Sequence, residues 1–223
     1  MNAIVISIGG SVVLSDDIKE TFFIQLKNLL KNHSKKTKIY VIVGGGKTAR
    51  TFIDIARNLN FSENMLDKFG IEFTRINAKL LSNILEANKD ITKTTNDAIK
   101  IKKEIVVMGG TTPGHSTDKV GAELAEKIKA DKFIISTNVD GIYDKDPNKY
   151  SNAKQIKEIS IDKLIKQYGT DWKSAGKNIV IDGPSLKIIK RSEIPTYIIN
   201  GKKLDQLKLV LNNKSFNGTK IIF

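Results

Sequence analysis

The 223-residue sequence contains no cysteine and only two histidines, His33 and His115. The lack of cysteine excludes disulfide scaffolds, thiolate metal sites and cysteine nucleophiles. Two histidines are too few for a histidine-rich metal centre, and the sequence assigns no side chain as a metal ligand.

Long apolar runs are also missing. No run approaches the ~18 residues that a membrane-spanning helix needs. Residues 1–8 form a short β-branched run without the basic region or the small-residue cleavage site of a signal peptide. The sequence therefore predicts a cytoplasmic protein that does not bind a membrane.

Aromatic residues are scarce at 7%, whereas 37 Lys and Arg against 24 Asp and Glu give a net charge of +13. This balance favours anionic partners such as nucleic acid or phosphorylated small molecules. The lysines are scattered, however, and aromatic residues do not alternate with them as base-stacking platforms would. We interpret most of the lysines as a solvated surface and expect no nucleic-acid partner.

Short β-branched runs alternate with amphipathic helical stretches along the whole chain, and 40% of the residues are hydrophobic. The expected strands are 3–8, 38–43, 104–108, 132–137, 196–199 and 219–222. The expected helices are 17–32, 47–59, 69–85, 118–129, 161–168, 184–191 and 204–211. This alternation predicts an α/β fold, a three-layer α/β/α sandwich around a mostly parallel sheet. No repeat or proline-rich linker interrupts it, so we expect residues 1–223 to form one domain with two lobes.

Three of the expected strands end in glycine: Gly9-Gly10-Ser11, Gly44-Gly45-Gly46 and Gly109-Gly110-Thr111. Ligands of open parallel sheets bind beyond the carboxyl ends of the strands. Glycine lets a phosphate approach the backbone, and the N–H groups of a following helix attract an anion. Three such loops at one sheet edge predict a phosphate-binding groove. They match neither the dinucleotide fingerprint nor the P-loop, so both of those classes are disfavoured.

Four motifs carry a family resemblance. They are Gly9-Gly10-Ser11, Val43-Gly-Gly-Gly-Lys-Thr-Ala-Arg50, Thr111-Thr-Pro-Gly-His-Ser-Thr-Asp118 and Thr137-Asn-Val-Asp-Gly-Ile-Tyr-Asp-Lys-Asp-Pro147. In this order they resemble the amino acid kinase family and, within it, the archaeal type of uridylate (UMP) kinase. The resemblance implies transfer of the γ-phosphate of ATP to UMP with Mg²⁺, giving UDP and ADP for pyrimidine nucleotide biosynthesis. It also implies a homo-oligomer, a homohexamer, with an acceptor-binding lobe at about 1–130 and an ATP-binding lobe at about 131–223.

The resemblance also assigns residues to each substrate. ATP is expected at Gly10, Ser11, Gly46, Arg50, Thr137, Asn138, Tyr143 and Asp146. UMP is expected at Gly45, Asp67, Thr111, Thr112, Pro113, Gly114, His115, Ser116 and Thr117. Arg50 can fork onto phosphate oxygens, and Asp67 can accept both ribose hydroxyls. Asp118 resembles the family's site-organising catalytic aspartate, although a helix N-cap role explains this residue almost as well.

Structural interpretations compete with several of these assignments. Asp67 can be a surface carboxylate on a helix, His115 an exposed loop residue and Tyr143 a packing residue. Asp146 precedes Pro147, and such a pair is common in turns.

The chain departs from the family at one position of the first strand. Ser7 stands where many members carry a lysine near the transferred phosphate, and Lys47, Arg50 and Lys187 are the candidate substitutes. Two alternative functions stay open. One is a sister kinase acting on acetylglutamate, carbamate or isopentenyl phosphate, and the other is a basic nucleic-acid-binding module. The preference for UMP over dUMP or CMP is also left open.

Overall fold

A seven-stranded sheet lies at the centre of the computed structural model, which describes residues 2–15, 17–147, 149–171 and 180–223. Its strands, together with a separate two-stranded sheet, are β1 Ala3–Ile8, β2 Lys38–Val43, β3 Ile105–Met108, β4 Lys132–Thr137, β5 Ile142–Tyr143, β6 Gln155–Ile156, β7 Glu158–Ser160, β8 Thr196–Asn200 and β9 Gly218–Ile222. The helices are α1 Gly10–Val13, α2 Glu20–Ser34, α3 Gly46–Asn58, α4 Glu63–Leu85, α5 Thr95–Lys100, α6 Thr117–Ile128, α7 Ile161–Tyr168, α8 Gly183–Ser192 and α9 Leu204–Leu211.

The central sheet has the strand order β3-β2-β1-β4-β8-β9-β7. Its pairs are parallel except for β8 and β9, which run antiparallel. Strands β5 and β6 form the separate antiparallel pair. The expectation of a mostly parallel sheet is therefore confirmed.

Helices cover both faces of this sheet. All six residues of β1 are buried, and its five apolar residues alternate between two apolar clusters. Val5 packs with residues of α5, α6, α7 and α8, whereas Ile4 and Ile6 pack with α2, α4 and α9. Helix α3 packs on the outside of α4 through Ile53 and Leu66. The expected three-layer α/β/α sandwich is confirmed, and a strand buried on both faces explains the continuous β-branched runs of the sequence. The division into two lobes stays a prediction.

Some local expectations were wrong. Helix α4 begins at Glu63 and not near residue 69, because its first three residues, 63–65, are exposed and show no apolar periodicity. Helix α5 was missed because it has only six residues, although Thr94 caps it by accepting the Asp97 N–H at 3.1 Å. Two-residue strands such as β5 and β6 are too short to show any period, and no strand was expected at either position. No helix of the described ranges is long and apolar enough to cross a bilayer.

Helix α6 lies against the sheet at Gly121. A Cβ atom at this position would stand 2.7 Å from Cε2 of Phe133 and 3.7 Å from Cβ of Ser7. The missing side chain therefore permits the close approach of α6 to β1 and β4. Asp118 lies about one turn earlier on α6, and the approach brings its carboxylate beside Ser7.

This packing predicts that replacing glycine by alanine affects the free energy of unfolding differently at Gly121 and at Gly70, both of which lie in helices. Gly121→Ala should lower the free energy of unfolding by about 1–3 kcal/mol, since extra volume in a packed core forces shifts. Gly70→Ala should leave stability unchanged or raise it by up to about 1 kcal/mol, because alanine favours a helix interior. The Cβ at residue 70 would meet only Cδ1 of Ile53, at 3.5 Å.

Urea unfolding of the two variants and the wild type measures both changes. Equal stability of Gly121→Ala and Gly70→Ala would contradict the proposed close packing of α6.

Candidate active site

A cleft opens at the carboxyl edge of the central sheet. The segments that follow β1, β2, β3 and β4 all contribute to its walls, and the C-terminal part of the chain adds Tyr168, Asp171, Val180, Asp182 and Gly183. The three glycine-ended strands of the sequence therefore meet at one place. This is the edge at which open parallel sheets bind ligands.

The first two glycine loops touch each other through their backbones. A Cβ on Gly10 would lie 2.1 Å from the Gly46 nitrogen, and one on Gly44 would lie 2.6 Å from the Gly10 nitrogen. Gly46 also has a φ of +76°, which other residues rarely adopt. The contact fixes the start of α3 beside the end of β1. Arg50, one turn into α3, is partly buried and lines the cleft.

Two buried polar residues of α4 hold the glycine loops in place. Asn77 Nδ2 donates to the carbonyl oxygens of Gly44 at 2.8 Å and Gly45 at 3.1 Å. Thr74 Oγ1 accepts the Gly110 N–H at 2.6 Å and donates to the Ile71 carbonyl at 2.6 Å. Sequence reasoning missed both residues. Their signal was a polar pair, three residues apart, on the otherwise apolar face of a helix.

An acidic pair faces the same cleft. Ser7 Oγ donates to Asp118 Oδ1 at 2.6 Å, so the side chain of Asp118 is directed toward β1. The N-cap interpretation of Asp118 was wrong, because the N-cap of α6 is Ser116, whose Oγ accepts the Lys119 N–H at 2.9 Å. Asp182 is the second member of the pair, and sequence reasoning gave it no role.

Asp182 is 4% exposed and uses only one of its two carboxylate oxygens. Its Oδ1 caps α8 by accepting the Ser185 N–H at 2.8 Å and the Ser185 hydroxyl. Its Oδ2 is buried and, among the residues that the structure describes, has no hydrogen-bond partner. Buried polar atoms without a partner are rare, and each calls for a physical explanation.

The negative charge of Asp182 acts on the carboxyl group of Asp118. Burial, with the negative charge of Asp182 as the second cause, raises the pKa of Asp118 to about 7, while the hydrogen bond from Ser7 opposes the rise. The site therefore disfavours a second negative charge near neutral pH, and a cation placed between the carboxylates would remove this cost.

The loop from Thr111 to Thr117 forms the other wall. Asp67 Oδ2 accepts the Gly114 N–H at 2.5 Å, and Arg75 donates to the Thr111 carbonyl at 3.2 Å. Burial is the main reason that the pKa of Asp67 is raised. Burial also lowers the pKa of His115, and the positive charge of Lys119 adds to the effect. Asp67 is thus partly buried and bonded to the loop, which excludes its interpretation as a solvated surface carboxylate.

The structure brings most of the predicted site residues together. Those that line the cleft are Gly10, Ser11, Gly45, Gly46, Arg50, Asp67, His115, Ser116, Thr117, Asp118, Thr137 and Asn138. Those placed outside the cleft lining are Thr111, Thr112, Pro113, Gly114, Tyr143 and Asp146. Thr112 and Pro113 are exposed at the loop tip, and Tyr143 lies in β5. Their assignments stay predictions.

The structure also distinguishes between the three candidate substitutes for a first-strand lysine by their position relative to the cleft. Lys47 and Lys187 are exposed and do not line the cleft, whereas Arg50 does. Within the described part of the chain, Arg50 is the one lysine or arginine in the cleft lining.

Comparison with known proteins places this geometry in a family. The model of the amino acid kinase family matches residues 2–200. The chain is 43% identical to a uridylate kinase of Methanobrevibacter smithii over 98% of both chains, and 44% identical to one of Pyrococcus abyssi over 92% of both. The crystal structure of uridylate kinase from Archaeoglobus fulgidus superimposes with a TM-score of 0.85 at 38% identity, covering 98% of this chain and 99% of that one. A family match over most of the length, together with these relatives, establishes that the chain belongs to the amino acid kinase family.

Proposed function

We propose that this chain transfers the γ-phosphoryl group of ATP to UMP, giving UDP and ADP. One observation carries the proposal. Sequence motifs that are far apart in the chain meet at one cleft, in a protein 43% identical to a uridylate kinase over nearly its whole length. The product would enter pyrimidine nucleotide biosynthesis.

The donor side is assigned to the segments after β1, β2 and β4. The phosphates of ATP would be held by Gly10, Ser11, Gly46 and Arg50. Glycine loops expose backbone N–H groups to an anion, and the guanidinium group of Arg50 can form two parallel hydrogen bonds with phosphate oxygens. Thr137 and Asn138, at the end of β4, would face the adenosine. Tyr143 and Asp146 would extend this side beyond the present cleft lining.

The acceptor side is assigned to Gly45, Asp67 and the loop 111–117. The hydrogen bond between Asp67 and Gly114 supports this assignment, since it links the carboxylate to the loop that would enclose UMP. The hydroxyl groups of Ser116 and Thr117 line the cleft and suit phosphate oxygens.

The reaction requires positioning and neutralisation of charge and no covalent intermediate on the protein. Arg50 would bind phosphate oxygens, and Asp118 would organise the floor of the cleft through its contact with Ser7. Asp118 and Asp182 offer the hard oxygen donors that Mg²⁺ prefers, and the unpartnered Oδ2 of Asp182 fits such an ion. When bound, Mg²⁺ would neutralise charge on the transferring phosphates.

We also propose that the chain assembles as a homo-oligomer, with the homohexamer as the specific form. An exposed apolar face on α3 supports self-association. Phe52 and Ile55 on α3, and Leu59 directly after its last residue, are 51%, 55% and 64% exposed and follow one another at helical spacing. Continuous apolar patches of this kind commonly mark protein interfaces.

The first prediction from this proposal concerns the activity. With excess ATP, UMP and Mg²⁺, the folded protein should release ADP and UDP in equal amounts. The same assay with acetylglutamate, carbamate and isopentenyl phosphate should give little ADP, and CMP and dUMP would define the acceptor preference. Release of ADP with one of the other acids but not with UMP would assign the chain to a sister activity.

A second prediction concerns Arg50. Lysine keeps the charge but loses the planar fork, so Arg50→Lys should lower kcat/KM by about 10- to 100-fold, as loss of a charge-assisted contact does. Arg57→Lys is the matched control, because Arg57 lies on the same helix and pairs with Glu63 at 3.0 Å, outside the cleft lining. Steady-state kinetics with ATP and UMP measure both variants. Equal kcat/KM in Arg50→Lys and Arg57→Lys would show that Arg50 does not bind the phosphates of ATP.

A third prediction concerns Asp67. An asparagine keeps an oxygen for the Gly114 N–H but loses the charge that would accept both ribose hydroxyls. Asp67→Asn should therefore raise KM for UMP, leave kcat nearly unchanged and reduce the preference for UMP over dUMP.

The control for Asp67→Asn is Asp54→Asn, whose exposed carboxylate pairs with Arg57 at 3.4 Å. Kinetics with UMP and dUMP test the assignment. If the UMP/dUMP ratio is the same in wild type and Asp67→Asn, Asp67 holds the loop and does not recognise ribose.

A further inference from the structure

The turn after β8, residues 200–203, supports the cleft from outside its lining. Strand β8 lies beside β4 in the sheet, so the end of β8 meets the segment that begins at Thr137. The Gly201 N–H donates to the Thr137 carbonyl at 2.7 Å. A Cβ on Gly201 would stand 2.1 Å from Ser136 Oγ and 2.8 Å from Cγ1 of Val12, so the turn lies directly against β4 and α1. Thr137 lines the cleft, and the turn is therefore bonded to a residue of the donor side.

Two side chains of this turn hold Asp140. Lys203 Nζ lies 2.8 Å from Oδ1 and 2.9 Å from Oδ2 of Asp140, and Asn200 Nδ2 donates to Oδ1 at 2.9 Å. The hydrogen bond with Asp140 raises the pKa of Lys203, so the ion pair persists at and above neutral pH. Asp140 follows Asn138, a residue of the cleft lining, by only two positions. The course of the backbone at Asn138 therefore depends on how Asp140 is held.

Lys202 fixes the same turn from its other side. Its Nζ donates to Ser15 Oγ and to both carboxylate oxygens of Asp17, each at 2.8 Å. Hydrogen bonds from Lys202 and Ser15 lower the pKa of Asp17 to about 2, so this carboxylate is charged at neutral pH. Ser15 and Asp17 belong to the segment that follows β1 and α1. The turn thus connects the segments after β1 and β4, both of which are assigned to the donor side.

We propose that Lys203 is a positioning residue for the donor nucleotide. By holding Asp140 against a turn that is itself fixed, Lys203 keeps Thr137 and Asn138 where they would face the nucleoside of ATP. Its side chain is 47% exposed and lies outside the cleft lining, so it acts through Asp140 and not on the phosphates. The inference rests on the proposed function for the identity of the donor, and it gives Lys203 no part in binding UMP.

Loss of the ion pair should reduce the affinity for ATP. Without it, the segment after β4 occupies the binding position in a smaller fraction of the molecules, and the measured affinity falls with that fraction. The probe is an ATP analogue with a β,γ-imido bridge, which cannot transfer its γ-phosphoryl group, titrated with Mg²⁺ in a calorimeter. Lys203→Met should weaken its binding by about three- to tenfold, and the affinity for UMP should stay the same.

The kinase assay gives a second readout. Lys203→Met should raise KM for ATP and leave kcat and KM for UMP nearly unchanged, because the lost interaction serves the ground state and the transition state equally. Lys203→Arg keeps a charged donor for Asp140 and should restore the wild-type KM for ATP. A general loss of structure would not be rescued in this way and would not spare UMP.

Two further variants serve as control and as partner. Lys190→Met is the matched control, because exposed Lys190 pairs with Asp162 at 2.6 Å and neither residue lines the cleft, so both affinities should stay at the wild-type values. Asp140→Asn removes the other charge of the pair. The double variant of Lys203→Met and Asp140→Asn should bind the analogue no more weakly than the weaker single variant, since both changes remove one interaction. Thermal unfolding checks that every variant is folded.

The outcomes distinguish this inference from the proposed function. If wild type makes UDP but Lys203→Met binds the analogue as tightly as Lys190→Met, Lys203 has no positioning role and the kinase assignment stands. Equal losses of affinity for the analogue and for UMP, or fully additive losses in the double variant, would also reject the inference. If binding of the analogue depends on Lys203 but no acceptor yields ADP, the positioning role stands and the kinase assignment fails. A wild type that binds no analogue would overturn both.

Discussion

The backbone contact between the first two glycine loops is the constraint on which the rest of the site depends. Gly10 and Gly46 approach so closely that a side chain on Gly10 would collide with the backbone of the other loop. The contact joins the ends of β1 and β2. It thereby fixes where α3 begins and where Arg50 lies on that helix. Asn77 and Thr74 then attach the loops to α4, so that the cleft wall is continuous with the core.

The apolar sheet explains why the chemistry is confined to its edge. Strands β1 to β4 are buried between helices, and Ser7 is the one polar side chain in β1. A hydroxyl in such a strand requires a partner, and Asp118 supplies it. Gly121 makes this pairing possible because α6 can lie flush against the sheet there. The same packing that stabilises the fold therefore orients the carboxylate that faces the cleft.

The fold and the site differed in how much could be predicted from the sequence. Alternating β-branched runs and amphipathic stretches predicted the layers, because burial on both faces leaves a strong pattern. Short elements such as α5, β5 and β6 leave no such pattern. At the site, glycine-rich strand ends predicted the location of the cleft. Asp182 was missed because its position in the cleft depends on burial and on which of its carboxylate oxygens has a hydrogen-bond partner. Thr74 and Asn77 were missed because the glycines that they hold lie more than 30 residues away in the sequence.

Because β1 carries Ser7 and no lysine, it brings no positive charge to the acidic pair. In the presence of an ammonium group, the pair would be neutralised by the protein itself. With serine, the carboxylate of Asp118 receives one neutral hydrogen bond, and burial together with Asp182 raises its pKa to about 7. A cation beside the pair would lower the cost of ionising Asp118. In the proposed function, the affinity of the cleft for anionic phosphates would depend on Arg50 and on the N–H groups of the glycine loops. These groups would offset the repulsion between the phosphates and the acidic side chains of the same cleft.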